Sequence, residues 1–260
     1  MASLAATMRH QTILATLEER GRATVAELSD LLGVSSVTIR DDLRTLEAGR
    51  QLVRSRGGAL AIGDGRPEQP IELTSKAQAA AKRAIGRAAA AMVRDGQKII
   101  VDVGSTTTAL AESLSGRFHD LTVITNAINI ALVFEKHANS TVVVTGGTLR
   151  PLQHSLVAPL GTLLLERLNA DIAFIGCNGV DARHGFTNSN LAEAEIKQAM
   201  IASAARVVVL ADHTKLGAVA SAFVARPEQV DLLITDDAAD PRVVADLAAV
   251  GIEIRIADAA

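Results

Sequence analysis

The sequence has few of the residues on which several classes of protein depend. Its 260 residues include one cysteine, Cys177, no tryptophan, no tyrosine and five phenylalanines. A single thiol cannot form an internal disulfide, and with no histidines clustered around it we expect no metal site and a small buried side chain. The shortage of aromatic rings removes the stacking platforms of single-strand nucleic-acid binders. If nucleic acid is a partner, duplex is therefore the better candidate.

Long apolar runs are also missing. The longest, such as Val207 to Ala211, are far shorter than the roughly 20 residues that a transmembrane helix needs. Residues 1–8 lack the basic start and apolar stretch of a signal peptide. We therefore expect a cytoplasmic protein with no membrane partner. The length and the 48% hydrophobic content suit two globular domains.

Charge is distributed unevenly along the chain. The net charge is −3, made of +1 over residues 1–60 and −4 over the remainder. The N-terminal part is only mildly basic, but one short segment of it holds Arg40, Arg44, Arg50, Arg54 and Arg56. Such clustering is the local electrostatic footprint that binding to a phosphate backbone requires.

The first sixty residues predict three helices and a hairpin. Apolar spacing predicts a helix over Gln11 to Arg20, and Thr24 followed by Glu27 is a capping-box pattern that opens a second helix over Val25 to Leu32. A two-residue turn leads to a third helix, capped by Ser35 or Ser36 and running to about Ala48. "QLVRSRGGALAI" then alternates apolar and basic residues around two glycines, which is typical of a wing. The order indicates an α+β winged helix-turn-helix domain over residues 1–60.

A small helical bundle with exposed arginines is the alternative for this segment, but the capped helix, tight turn and basic hairpin occur in the order expected of a DNA-binding domain. "RHQTILATLEERGRATVAELSDLLGVSSVTIRDDLRTLE" followed by "RSRGGAL" resembles the N-terminal domain of the DeoR family of bacterial transcriptional regulators. The sequence departs from the family at Asp41, where a basic or amide residue is usual, so the operator sequence stays open. The resemblance implies that the recognition helix and the wing lie near DNA through Ser36, Val37, Thr38, Arg40, Arg44, Arg54 and Arg56.

The remainder of the chain predicts a linker and an α/β domain. Residues 61–75 include "GDGRPEQPIE", which is rich in proline and glycine and has no apolar period. From residue 76 to 260, helical patterns alternate with uniformly apolar strands such as "KIIVDV", "DIAFIG" and "DLLITD". Strands of this kind are buried on both faces, so we expect a doubly wound, mostly parallel sheet with ligands beyond the carboxyl ends of its strands.

One turn after a predicted strand has the composition of an anion site. In "VDVGSTTTAL", Asp102 lies near the strand end, Gly104 permits a tight turn, and Ser105, Thr106 and Thr107 open a helix with free backbone N–H groups. It is neither a P-loop nor a dinucleotide fingerprint, because the required lysine and glycines are missing. Taken alone it is also compatible with an ordinary capped helix.

Other small and polar residues follow strands and are expected to reach the same edge of the sheet. Lys215 would supply a cation or be a solvated lysine, and one of Glu193 and Glu195 is expected to be only surface charge. Together the set indicates a pocket for a small hydroxylated anion. Its further members are Asn126, Gly146, Gly147, Asn178, Gly179, Asp181, Glu193 and Lys215.

This half also resembles the DeoR-type sensor domain, through "TNAINIA", "TGGTLRP", "DIAFIGCNGVD", "GFTNSNLAEAEIK" and "VVVLADHTKLG". The resemblance implies a fold like that of sugar-phosphate isomerases and a phosphorylated sugar as effector, with Gly104 to Thr107 on the phosphate and Lys215 nearby. The alternative is an isomerase or deaminase fused to a DNA-binding head. Asn178 of "NGVD" cannot act as a base where those enzymes carry a paired acid, so we expect no catalytic residues and no cofactor.

The sequence therefore predicts a DNA-binding regulator, a repressor of a carbohydrate catabolism operon. We expect double-stranded operator DNA, a phosphorylated sugar and further copies of the chain, as a dimer or tetramer, to be its partners. An effector-free scaffold that binds DNA is a further alternative, whose DNA binding would respond to no ligand.

Overall fold

The computed structural model describes residues 4–20, 22–48, 52–55, 57–61, 70–135 and 139–258. The chain divides into two compact units, Met1–Glu68 and Gln69–Ala260. No helix of the described residues is long and apolar enough to cross a membrane.

The first unit is a winged helix-turn-helix. Its three helices pack on a small sheet of strand order β1-β3-β2, and its core includes Ile13, Leu28, Ile39 and Leu43. The first helix begins earlier than its apolar spacing predicts, and β1 is a strand that the sequence pattern did not predict. Its elements are α1 (Leu4–Arg20), β1 (Arg22–Thr24), α2 (Val25–Leu32), α3 (Ser36–Ala48), β2 (Leu52–Ser55) and β3 (Gly58–Ala61).

The second unit begins within the segment predicted as a linker. Residues 62–69 lie outside the described residues, but Ile71–Lys76 form helix α4, and Ile71 is buried in the core of this unit. An isolated helical turn after two prolines has no long apolar period, which is why the sequence pattern missed it.

The described residues of the second unit form an α/β fold. Its helices, besides α4, are α5 (Ala79–Ala90), α6 (Ser105–Leu114), α7 (Ile128–Glu135), α8 (Leu160–Leu165), α9 (Leu191–Ala202) and α10 (Pro241–Ala249). Its strands are β4 (Lys98–Val101), β5 (Leu121–Thr125), β6 (Ser140–Val144), β7 (Thr148–Arg150), β8 (Ser155–Val157), β9 (Ile172–Gly176), β10 (Gly179–Asp181), β11 (Gly185–Asn188), β12 (Val207–Leu210), β13 (Ala222–Ala225), β14 (Leu232–Asp236) and β15 (Ile254–Ala257).

Seven of these strands form one parallel sheet, in the order β15-β14-β12-β9-β4-β5-β6. From β4 the chain adds β5 and β6 on one side, then returns to place β9 on the other side of β4 and continues outward from there. The order therefore reverses between β4 and β9, and in open α/β sheets ligands bind at such a switch point.

Both faces of this sheet are covered. Ile99 and Val101 of β4 face a cluster that includes Ile85, Leu110 and Phe134, while Ile100 faces a second cluster around α8, α9 and α10. The uniformly apolar strands are thus explained by helices on both sides. Two antiparallel additions lie outside the parallel sheet, a small sheet of order β10-β11-β13 and the hairpin β7-β8.

Candidate functional site

In the first unit the turn between α2 and α3 is fixed by local hydrogen bonds. Thr24 and Glu27 form the capping box at the start of α2, and Gly33 ends that helix with φ of 62°. The Ser35 hydroxyl accepts a hydrogen bond from the backbone N–H of Thr38 at 3.2 Å, so Ser35 rather than Ser36 caps α3. These caps fix where α2 ends and α3 begins through neighbouring residues, which is why the sequence predicts the motif.

On the outer side of α3, Val37 and Arg40 are exposed and Ser36 and Thr38 are half-buried. Val37 is well exposed for an apolar residue, and the Arg40 guanidinium donates to the Ser36 hydroxyl at 3.3 Å. Solvent-accessible side chains on this side of the helix are what a recognition helix needs to contact base edges in a major groove.

The other predicted DNA-binding arginines have acidic neighbours. Arg44 donates to the Asp41 carboxylate at 2.9 Å, and both side chains are exposed. Arg54 lies 3.5 Å from a Glu47 carboxylate oxygen. Asp41 therefore partly neutralises the positive charge of the recognition helix. Arg56, and Arg50 between α3 and β2, lie outside the described residues.

On its opposite face α3 is tied to α1 by Asp42. This buried carboxylate accepts from Arg9 through Nε at 2.8 Å and Nη2 at 3.0 Å, and it lies 2.9 Å from Nε2 of His10. Burial alone would raise the pKa of Asp42, but the hydrogen bonds from Arg9 and His10 outweigh it and hold the pKa below its ordinary value. The neighbouring aspartates thus differ: Asp42 is structural and Asp41 faces solvent.

In the second unit the predicted anion turn lies at the switch point. Gly104 has φ of 149° and precedes α6, and its carbonyl accepts hydrogen bonds from the hydroxyls of Thr107 and Thr108. The backbone N–H groups of Ser105, Thr106 and Thr107 have no acceptor among the described residues, nor do the hydroxyls of Ser105 and Thr106 make a hydrogen bond there. The turn therefore keeps a set of donors at the positive end of a ten-residue helix.

Beneath this turn lies a buried ion pair. Asp102, fully buried, accepts from the backbone N–H of Gly176 at 3.0 Å and from the ammonium of Lys197 on α9, which is buried as well. Burial raises the pKa of Asp102 above its ordinary value, while the Lys197 charge opposes that shift. The second carboxylate oxygen, Oδ1, has no hydrogen-bond partner in the described part of the chain.

A second buried lysine lies nearby along the same edge. Lys82 of α5 pairs with Asp212, which follows β12, at 3.1 Å. Asp212 also accepts from the Thr214 backbone N–H at 3.1 Å and from its hydroxyl. Burial alone would raise the pKa of Asp212, but these hydrogen bonds and the Lys82 charge lower it. The Lys215 ammonium, three residues further, has no ion pair among the described residues.

Cys177 follows β9 between these charged groups. Burial raises the pKa of its thiol to about 12, so the thiol stays protonated at neutral pH. The side chain is half-buried rather than fully buried as the sequence predicts, because Cys177 lies just beyond the end of β9.

Two of the predicted effector residues have their polar atoms occupied by the protein itself. The Asn126 side chain accepts from the backbone N–H of Val103 at 2.9 Å and donates to the carbonyl of Leu156 at 3.4 Å. Glu193 accepts from Arg150, from the Ser155 hydroxyl at 2.7 Å and from the Asn188 amide at 3.2 Å. The side chains of Asn126 and Glu193 therefore join loops of the rim to one another. Of the two glutamates of α9, Glu193 is buried and Glu195 is exposed.

The paired glycines after β6 differ in their surroundings. Gly147 has φ of 121°, and a Cβ there would lie 2.1 Å from the Val157 carbonyl oxygen. Gly146 has φ of 74° with open space around its Cβ position. Gly147 thus lets β7 approach β8, and Gly146 turns the chain at the rim.

Asn178 directly precedes β10, and Gly179 and Asp181 are the first and last residues of that strand. The Asn178 side-chain oxygen accepts from the backbone N–H and the hydroxyl of Ser189, each at 3.0 Å. Gly179 is buried against the Ala218 carbonyl, where a Cβ would not fit. Asp181 ends β10 and caps the hairpin turn by accepting from the backbone of His184. The hydrogen bonds of Asp181 in the described part of the chain go to Arg183 and His184 and not to the anion turn.

Sequence reasoning missed both buried lysines. Lys197 lies one helical turn after Glu193 on the face of α9 that also buries Met200 and Ile201, and Lys82 lies on the buried face of α5 with Ile85. A lysine at a core-facing helical position was the available signal, since lysine is rarely buried unless paired.

Comparison with known proteins bears on both units. The DeoR-like helix-turn-helix domain matches residues 9–64, and the DeoR C terminal sensor domain matches residues 77–237. The chain is 33% identical to the HTH-type transcriptional regulator GolR of Listeria innocua serovar 6a, over 96% of the chain and 98% of that protein. It is 35% identical to the HTH-type transcriptional repressor GlcR of Bacillus subtilis, over 86% of each.

A solved ribose 5-phosphate isomerase from Methanocaldococcus jannaschii aligns at 18% identity with a TM-score of 0.38, covering 52% of each chain. This likeness is too low to carry an argument. The two domain matches and the relatives aligned over most of their length show the family. The chain belongs to the DeoR family and is a DNA-binding transcriptional regulator rather than an enzyme.

Proposed function

We propose that this regulator represses a carbohydrate catabolism operon and that a phosphorylated sugar releases it from its operator. The name of the Bacillus subtilis relative, a transcriptional repressor, supports the sign of the regulation. The observation that carries the choice of effector is the set of unengaged donors from Ser105 to Thr107, at the switch point of a sheet whose other rim residues are small and polar. Binding to chromosomal DNA would place the protein in the cytoplasm.

The phosphate would lie on the turn of Gly104 to Thr107. Backbone N–H groups at a helix N-terminus bind anions through hydrogen bonds and through the helix dipole. The hydroxyls of Ser105 and Thr106 would add donors, and the unpaired ammonium of Lys215 would add a positive charge. A phosphate offers acceptors to each of these groups.

The sugar hydroxyls would lie between Asp102 and Asn178. A hydroxyl both donates and accepts, and here Oδ1 of Asp102 is an acceptor without a partner while the Asn178 amide N–H₂ makes no hydrogen bond with described residues. Asn126 and Glu193 are proposed to hold the rim in shape and not to touch the sugar through their engaged atoms. Gly146, Gly147 and Gly179 would leave space at the rim because they have no side chain. Asp181 would hold the turn of the β10-β11 hairpin.

The operator would be read by α3. The exposed Val37 and Arg40 and the half-buried Ser36 and Thr38 would meet the base edges, and Arg44 and Arg54 would reach phosphates on either side. A palindromic operator pairs with a symmetric protein, so the working form is proposed to be a homo-oligomer, a dimer or tetramer.

A thermal-shift screen of the full chain against sugars and their phosphates tests the effector. We expect one phosphate to raise Tm and its parent sugar to have no effect, because a ligand that binds only the native state stabilises it. Thr106→Val should remove much of the shift. Ser113→Ala, on the same helix, should keep it, because the Ser113 hydroxyl donates to the Ala109 carbonyl within the helix. Equal shifts with sugar and phosphate, or an unchanged response of Thr106→Val, would count against the anion turn.

A further inference from the structure

The exposed residues of α3 include four that lie opposite the core. They have the spacing i, i+3, i+4, i+7 of one helix side, and we call them the outer stripe: Val37, Arg40, Asp41 and Arg44. Four buried residues repeat this spacing two positions later, at Ile39, Asp42, Leu43 and Leu46. Two positions turn an α-helix by about 200°. The outer stripe therefore lies on the side of α3 that faces away from the core of the first unit.

Asp41 lies inside the outer stripe and not at its border. It comes one helical turn after Val37 and nearly one turn before Arg44, and its side chain is 61% exposed. A duplex that meets α3 along the outer stripe therefore also meets the Asp41 carboxylate. That carboxylate needs a partner in the complex, because a charge that leaves water without one is costly to bury.

Within the protein Asp41 uses only one of its two carboxylate oxygens. Oδ1 accepts a hydrogen bond from Arg44 at 2.9 Å, whereas Oδ2 accepts none from the residues that the structure describes. An exposed ion pair of this kind adds little to the stability of a helix. Its consequence is one of position: Arg44 orients the carboxylate and leaves Oδ2 available as an acceptor.

Few groups on duplex DNA can donate a hydrogen bond to a carboxylate. Phosphate oxygens repel it, and the guanine and thymine edges in the major groove carry acceptors. The donors there are the amino groups of adenine and cytosine. Adenine presents N7, an acceptor, beside its N6 amino group, whereas cytosine presents only its N4 amino group on this edge. Cytosine is therefore the base that suits a carboxylate.

We propose that Asp41 selects a cytosine in the operator, with Oδ2 accepting a hydrogen bond from the N4 amino group of that base in the major groove. The guanidinium groups of Arg40 and Arg44 on either side offset the repulsion between the carboxylate and the nearby phosphates. Asp41 is thus a specificity-determining residue. The inference rests on the docking of α3 in the proposed function and adds one base pair to what that helix reads.

Two substitutions of Asp41 have different expected effects on sequence preference. Asp41→Asn keeps the shape of the side chain but makes it both a donor and an acceptor, which matches N7 and N6 of adenine. We therefore expect adenine to replace cytosine at one position of the selected site. Asp41→Ala removes the contact, so that position should lose its preference. Both substitutions are at an exposed position, so neither should disturb folding.

Selection from a randomised duplex library by the full chain tests the proposal. We expect the wild type to enrich a site with cytosine at one fixed position, and the two Asp41 variants to change that position alone. Asp30→Asn is the matched control, because Asp30 is exposed on α2 and its substitution removes the same charge. It should leave the preference at every position unchanged.

Fluorescence anisotropy then measures the size of the effect, with the selected duplex and with one in which thymine replaces that cytosine. The wild type should bind the second duplex about 5–150-fold more weakly, the range expected for one mismatched base pair. Asp41→Ala should bind the two duplexes with similar affinity, because it has no acceptor for the amino group.

An unchanged selected site in both Asp41 variants would overturn the proposal and leave Asp41 as a surface partner of Arg44. A change at a position where the wild type does not select cytosine, or the same change in Asp30→Asn, would also overturn it. A wild type that enriches no site would overturn the docking of α3 as well.

Arg40→Ala separates this inference from the proposed function. Weaker binding of the selected duplex by Arg40→Ala, together with a wild-type site in the Asp41 variants, would contradict the cytosine contact alone. Unchanged binding by Arg40→Ala would contradict the docking of α3 on which both depend.

Discussion

Lys197 and Lys82 each carry an ammonium into the interior of the second unit, and each meets an aspartate that follows a strand of the sheet. Buried pairs of this kind contribute little net stability, because desolvation of the two charges offsets their attraction. Removing one partner is costly, because the other charge stays buried. At the scale of single residues, these pairs therefore fix the positions of Asp102 and Asp212 at the rim.

Lys197→Met is expected to destabilise the protein by about 3–5 kcal/mol, because it leaves the Asp102 carboxylate buried without its cation. Adding Asp102→Asn to that variant should recover much of the loss, since the remaining side chain is neutral. Guanidinium denaturation of the two single variants and the double variant measures the coupling. A double variant whose loss equals the sum of the single losses would contradict a direct pair.

Asp42→Asn is expected to lower stability by about 1–3 kcal/mol at neutral pH, because Arg9 and His10 lose a charged acceptor. The folded-state pKa of Asp42 is lowered, so its contribution is present above the unfolded-state value of about 3.9 and is lost as the pH falls through the folded-state value. The difference between wild type and variant should therefore shrink below about pH 4.

Thermal unfolding followed by circular dichroism across pH measures this difference. Asp41→Asn is the matched control, since Asp41 is the neighbouring residue and is exposed with only Arg44 as partner. We expect its effect on stability to stay within about 0.5 kcal/mol. A pH-independent gap between wild type and Asp42→Asn would show that the carboxylate charge is not what joins α1 to α3.

At the scale of elements, the hairpin β7-β8 and the helix α3 depend on different kinds of constraint. The hairpin depends on a close approach of two backbones at Gly147, which only a residue without Cβ allows. Helix α3 is built from local caps and an apolar stripe, and its function depends on which charges remain accessible.

Gly147→Ala is expected to destabilise the protein by about 3 kcal/mol or more, because the new Cβ would lie 2.1 Å from the Val157 carbonyl oxygen. Gly96→Ala is the matched control: Gly96 also has a positive φ, 76°, but open space around the Cβ position. Gly96→Ala should lower stability only by the cost of holding a residue with a Cβ at positive φ, about 1–2 kcal/mol. Equal losses in chemical denaturation would show that β7 and β8 can move apart at no cost.

Arg40→Ala is expected to weaken operator binding. It should also reduce the slope of log affinity against log salt by the amount that one phosphate contact contributes, about 1. Arg44→Ala should reduce the slope less, because Asp41 already neutralises part of its charge. Fluorescence anisotropy with labelled operator DNA at several salt concentrations measures both. Arg167→Ala, an exposed arginine of the second unit, is the control, and a slope unchanged by Arg40→Ala would mean that Arg40 does not contact phosphate.

At the scale of the whole molecule, regulation requires that two equilibria be linked, the binding of operator DNA and the binding of the effector. The effector can alter DNA binding only to the extent that it binds the DNA-bound and DNA-free states with different affinity. The same coupling must then appear in both directions, since linkage is reciprocal.

We therefore expect a phosphorylated sugar that weakens operator affinity by a given factor to bind the operator complex more weakly by the same factor, typically about 5–150-fold. Anisotropy titrations of DNA at saturating effector, and calorimetric titrations of effector with and without operator, provide the two numbers. Thr106→Val should lose both effects while its effector-free operator affinity stays at the wild-type value. Unequal factors would show that the effector acts on something other than this equilibrium, such as the state of association.

The sequence by itself determined the features that depend on neighbouring residues. The capped helices of the DNA-binding motif, the buried parallel strands and the turn after β4 all follow from caps, periodicity and glycine placement over a few positions. Only the tertiary structure decided which polar residues of the rim remain available. Asp102 and Lys197 are 95 positions apart, and Arg150 and Glu193 are 43 apart. A periodic pattern shows that a helix face is buried but not which side chain lies opposite, so partners of this kind are set by the packing of α9 against the sheet.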